Sequence, residues 1–172
     1  MKKFMPITGI AVVLLAAVMG LAGACAAQST DSQAPDFTVI DLSGKTITSA
    51  QYKGKVLFLN FWASWCPPCR AEIPDFVDVT AVYKAKGLEI LGISLDTKQK
   101  SEVLAFVQQF KINYPVVLET RKQTEKLLAD FQPGQFIPTT FVIDKQGRIR
   151  DKIVRAMDKE EILRIFNRLI AE

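Results

Sequence analysis

The chain has 172 residues, enough for one domain with a single core and a short extension. Apolar residues make up 49% and charged residues 23%, a globular composition that excludes general disorder. Of 22 basic residues, Lys2 and Lys3 stand apart at the N-terminus, and the other 20 face 18 acidic ones; nothing there favours nucleic-acid binding.

Lys2 and Lys3 precede an uncharged run from Phe4 to Ser29 with its apolar heart at Ile7–Ala24. A basic start, an apolar stretch and a small-residue exit make residues 1–27 a secretory signal peptide or membrane anchor. Its exit, Leu21-Ala22-Gly23-Ala24-Cys25, resembles a bacterial lipoprotein box with Cys25 as the lipidated residue. Cleavage at Ala24-Cys25-Ala26 and retention as an uncleaved helix remain open beside it. All three send the following domain across the cytoplasmic membrane to its extracytoplasmic, periplasmic side, where it stays membrane-anchored if Cys25 is lipidated or the helix is retained. Residues 28–34 are small and polar and read as a flexible tether. The globular part, 35–172, follows.

Phe37–Ile40 and Thr46–Thr48 flank a Gly-containing loop and predict a β-hairpin. Lys55–Trp62 and Leu88–Leu95 are apolar runs of the kind buried on both faces of a sheet. Between them, Pro67 to about Lys86 is helical, with Pro74 expected to kink it. A helix over Glu102–Phe110, a short strand at Val116–Leu118 and a short helix over Gln123–Phe131 come next. Thr139–Ile143 and Arg148–Val154 form a second hairpin. A helix over Lys159–Ile170 closes the chain, with Asp158 as N-cap and Glu161 as its reciprocal partner. The alternation predicts an α/β fold with a mixed sheet flanked by helices.

The chemistry gathers at Trp65-Cys66-Pro67-Pro68-Cys69, after a strand and at the start of a helix. There the helix dipole and unpaired backbone N–H groups favour a thiolate on Cys66. Cys69 lies one helical turn on, within disulfide reach. Pro67 suits the first helical position because it has no N–H to leave unpaired. A zinc site would need a second cysteine pair, and the only other cysteine is Cys25. The sequence contains no histidine, which removes Ser-His-Asp catalysis, Cys-His pairs and imidazole-built metal sites. No metal and no cofactor are expected. Redox thiol chemistry is the reading that uses every feature; a structural disulfide would need neither an exposed helix start nor paired tryptophans.

These residues carry a resemblance. Ala34-Pro35-Asp36-Phe37, Gly54-Lys55, the run Asn60 to Pro74 and Ile137-Pro138-Thr139-Thr140-Phe141 together resemble the TlpA/ResA-type thioredoxin-like thiol–disulfide oxidoreductases, over roughly residues 34–170. The resemblance implies a thioredoxin fold with an N-terminal hairpin and a strand–helix inserted near Leu88–Leu118. It makes Cys66 the attacking thiolate and Cys69 the resolving thiol of a redox-active disulfide. Pro138 would be cis, opposite the dithiol, with the Ile137 backbone, Trp65, Pro67 and Pro68 forming the substrate-binding surface. Thioredoxins carry an aspartate at the place of Asn60, which cannot titrate. Glu72, one turn after Cys69, is the replacement base, a feature shared with the ResA branch.

The implied partners are protein thiols and disulfides, such as apocytochrome c cysteines, and a membrane electron donor that re-reduces the dithiol; the domain is expected to be a monomer. Two alternatives stand beside this reading. A peroxiredoxin-like peroxidase normally has a threonine three places before its cysteine, where this chain has Ala63. A metallochaperone or other binding module of the same fold would want a histidine with the cysteines.

Overall fold

The computed structural model describes residues 32–118 and 124–172; Cys25, the leader and residues 28–31 of the tether lie outside them. In chain order the elements are β1 (Ser32–Gln33), β2 (Thr38–Ile40), β3 (Thr46–Thr48), β4 (Val56–Trp62), α1 (Pro67–Tyr83), β5 (Leu88–Ser94), α2 (Lys100–Gln109), β6 (Val116–Leu118), α3 (Thr124–Phe131), β7 (Thr139–Ile143), β8 (Arg148–Ile153) and α4 (Lys159–Ile170). Six strands make one sheet in the order β1-β8-β7-β4-β5-β6, and β2 and β3 pair separately as the expected hairpin. β5 runs parallel to β4 and β6, while β7 is antiparallel to β4 and to β8. The sheet is therefore mixed. The α2–β6 pair extends it at the β5 edge, within the segment expected to carry an insertion.

β4 and β5 are buried along their whole length, as continuous apolar runs require. Side chains alternate between two cores. Val56, Phe58 and Trp62 face α1 and α4, meeting Ile73, Phe76 and Phe166. Leu57, Leu59 and Phe61 face the hairpin and α3, meeting Val39, Ile47 and Phe131. Asn60, in register with Gly92 of β5, occupies the α1 side of this alternation. That one polar position beneath α1 fixes where the site forms.

Four details differ from the sequence expectations. Ser32 and Gln33, placed in the tether, pair instead with Ile149 and Arg148 of β8 and add an edge strand. Their two-residue length and polar side chains left no pattern to read. α2 begins at Lys100 rather than Glu102, because Glu102 accepts a hydrogen bond from the Gln99 N–H and closes the helix start. α1 ends at Tyr83, and Lys84–Lys86, expected to continue it, form a tighter 3-10 turn. At α4, Asp158 caps the Glu161 N–H at 2.8 Å, but the Glu161 carboxylate takes two hydrogen bonds from Arg155, each 2.7 Å. A bidentate guanidinium outcompetes a neutral backbone N–H for that carboxylate.

Candidate active site

The loop between β4 and α1 carries the dithiol. Cys66 is the N-cap of α1 in extended conformation, and Pro67 and Pro68 follow it into the helix. Because neither proline has an N–H, the first turn offers Cys66 Sγ one donor, the Cys69 N–H at 3.2 Å. Cys66 and Cys69 form a disulfide with Cα atoms 5.3 Å apart. Cys69 is wholly buried and Cys66 is 3% exposed, so only Cys66 presents any surface to a partner. The Ile137–Pro138 peptide is cis, and Ile137 O lies 3.7 Å from Cys66 Sγ. The two segments named by the sequence, 137 and 66, therefore meet across 71 residues. Trp65 stands exposed beside the disulfide, whereas Trp62 is core, packed on the Phe106 ring of α2.

A buried acid holds the loop in place. Asp96, just past the end of β5, accepts from the Ser64 N–H at 2.9 Å, from the Ser64 hydroxyl at 2.6 Å and from the Ser94 hydroxyl at 2.8 Å. Sequence reading passed over this residue. Its only signal is a lone acid at the carboxyl end of a buried parallel strand, where sites of α/β sheets gather.

Glu72 is inside the protein. It is 2% exposed, on the α1 face that carries Cys69 and Ile73 inward. Asn60 donates to its Oε1 at 2.9 Å and the Met157 N–H to its Oε2 at 3.2 Å. Burial pushes its pKa up to about 8, against the opposing pull of the Met157 and Asn60 hydrogen bonds. Asn60 also donates to Thr140 Oγ1 at 3.0 Å, tying the carboxylate's holder to β7. So the place where thioredoxins carry an acid holds an amide that positions one. Met157 enters from 85 residues away through its backbone, which no sequence motif announces. Asp75 and Asp78, the other acids of α1, do not share this burial.

Residues 30–152 match the model of the AhpC/TSA family. The thiol–disulfide oxidoreductase ResA of Geobacillus kaustophilus is 38% identical over 138 residues, covering 80% of this chain and 76% of that protein. The chain belongs to the AhpC/TSA family. Within it, the chain is an enzyme of ResA type, a thiol–disulfide oxidoreductase. The fold is that of the thioredoxin family. A crystal structure of a thioredoxin-family thiol:disulfide interchange protein from Chlorobium tepidum superposes with a TM-score of 0.74 at 34% identity, covering 81% of this chain and 97% of that one. A secreted thiol-disulfide isomerase from Corynebacterium glutamicum gives a TM-score of 0.72 at 29% identity, covering 81% and 86%. In this ResA-like enzyme the described residues contain no cluster of three His, Cys, Asp or Glu side chains suited to a metal. Among them, no helix is long and apolar enough to cross a membrane.

Proposed function

We propose that this ResA-like enzyme works on the outer side of the cytoplasmic membrane as a reductase of protein disulfides. The observation that carries the proposal is the Cys66–Cys69 pair at the start of α1 with a buried carboxyl, Glu72, one turn further on. In the reduced enzyme the Cys66 thiolate attacks a substrate disulfide, forming a mixed disulfide and releasing one substrate thiolate, which takes a proton from water. Cys69 then loses its proton to the Glu72 carboxylate and attacks Cys66 Sγ. The second substrate sulfur leaves as a thiolate and is protonated in turn. Two electrons pass from the dithiol to the substrate, and a membrane-bound reductant returns them.

Glu72 suits the proton step because its raised pKa approaches that of a thiol, and transfer is most effective between matched groups. The surface around Cys66 that receives the substrate is made of Trp65, Pro67, Pro68 and the Ile137-Pro138 loop. The basic, apolar leader supports export, and membrane attachment follows from lipid on Cys25 or from the retained leader helix. Apocytochrome c cysteines are substrates of the required kind: an exported pair whose disulfide must be reduced to thiols before use.

Trapping tests the proposal. A Cys69→Ser enzyme stops at the mixed disulfide, so it should accumulate adducts through Cys66 with exported cysteine proteins, apocytochrome c among them. Absence of such adducts, or adducts confined to cytoplasmic proteins, would overturn it.

A further inference from the structure

Two large apolar side chains near the dithiol face water: Trp65 is 61% exposed and Phe136 is 74% exposed. Phe136 has no part in either core. Its backbone is tied to the loop, because its carbonyl accepts the Thr139 hydroxyl at 2.7 Å. An aromatic ring left in water costs solvation without contributing to the fold. Its neighbour Ile137 brings its carbonyl to 3.7 Å from Cys66 Sγ, and among the described residues the Ile137 N–H meets no acceptor. The backbone there can accept and satisfy one residue of an extended chain lying over the disulfide. Cys66, at 3% exposure, reacts only with a segment that lies that close.

We infer that Phe136 is a specificity-determining residue: it selects protein substrates in which an apolar side chain stands two residues from the target cysteine. This rests on the protein-disulfide reading above and adds which segments the enzyme prefers. An extended segment sends alternate side chains to opposite faces, so when its cysteine points to Cys66 and its backbone meets Ile137, the side chain two residues away shares that face and falls toward Phe136. There an aliphatic or aromatic group covers the exposed ring. A charged group at that place would lose hydration against it without a partner.

The test uses reduced enzyme and two disulfide-linked peptides, identical except for Leu or Asp two residues from the cysteine. The wild-type enzyme should reduce the Leu peptide about tenfold faster in kcat/KM, the size of preference that a modest apolar contact gives. That difference should lie in KM. Phe136→Ser should bring the ratio close to one through KM, whereas Val82→Ser, which removes an exposed apolar side chain on α1 away from the disulfide, should leave it unchanged. A ratio retained in Phe136→Ser, or no preference in the wild type, overturns the inference while leaving the reductase reading intact. Failure of the wild type to reduce either peptide would instead defeat that reading, and the inference with it.

Discussion

Glu72 links the proposed proton step to the pH dependence of stability. Its carboxyl has an ordinary value of 4.5 and is pushed up to about 8 by burial. Between those values the folded protein holds a proton that the unfolded chain has released, so stability falls as pH rises. The limiting slope for one such group is about 1.4 kcal/mol per pH unit. Glu72→Gln should remove that fall, and urea melts of the oxidised protein from pH 5 to 8 would show it. Parallel loss of stability in both proteins would mean that another group titrates. The same substitution should slow resolution of the mixed disulfide by about 100-fold, the usual worth of a general base, with the first attack by Cys66 much less affected. Rapid-mixing kinetics of the two steps separates them. Asp96 works differently. It accepts three hydrogen bonds from residues 64 and 94 and so holds the loop that presents Trp65 and Cys66.

Among the elements, β5 packs closely under the site at Gly92. Gly92 lies in register with Asn60, and a Cβ there would stand 2.8 Å from Trp62 Nε1 and 3.4 Å from the Tyr114 ring. Trp62 is 1% exposed and cannot swing away. Gly92→Ala should therefore cost about 2 kcal/mol through overpacking, measured as a lowered urea midpoint with unchanged slope. A variant as stable as the wild type would show that the indole has room to move. The α1 helix has a divided role. Its first turn presents Cys66 to partners, while its inner face holds Cys69, Glu72, Ile73 and Phe76 against the sheet. One helical face thus carries both Cys69 and the Glu72 carboxyl, one turn apart, as the proposed thiol and base of the resolving step require.

At the scale of the whole molecule, the sheet is closed at its β8 edge by residues that composition assigns to a tether. Beyond the β1–β8 pairing, the Ala34 N–H donates to Gly147 O at 2.8 Å and the Gln33 side chain to the same oxygen at 2.9 Å. A chain beginning at residue 35 should lose these bonds, a net cost of about 1 kcal/mol. For a domain of this size that corresponds to a melting temperature about 3 °C lower than that of a chain beginning at residue 30. Equal melting temperatures would return Ser32 and Gln33 to the tether. The arrangement has a mechanical consequence: the sheet begins within a few residues of the leader, so an anchored leader would leave the domain little reach from the membrane surface.

The amino-acid sequence by itself determined the order and type of nearly every element, because apolar periodicity and Gly or Pro breaks are local properties of the chain. It also placed the disulfide: a strand running into Cys66-Pro67-Pro68-Cys69 puts both sulfurs at one helix start whatever packs around them. The cis Ile137–Pro138 peptide was legible through resemblance alone. Only the tertiary structure decided what those residues experience. Glu72 becomes a buried acid because Asn60 from β4 and the Met157 N–H from before α4 close over it, 12 and 85 residues distant. Asp96 becomes an anchor because β5 ends beside the β4–α1 loop, and Phe136 stays in water because neither core reaches it. Desolvation and hydrogen bonding are set by groups remote in the chain, and no local pattern records which of them will arrive.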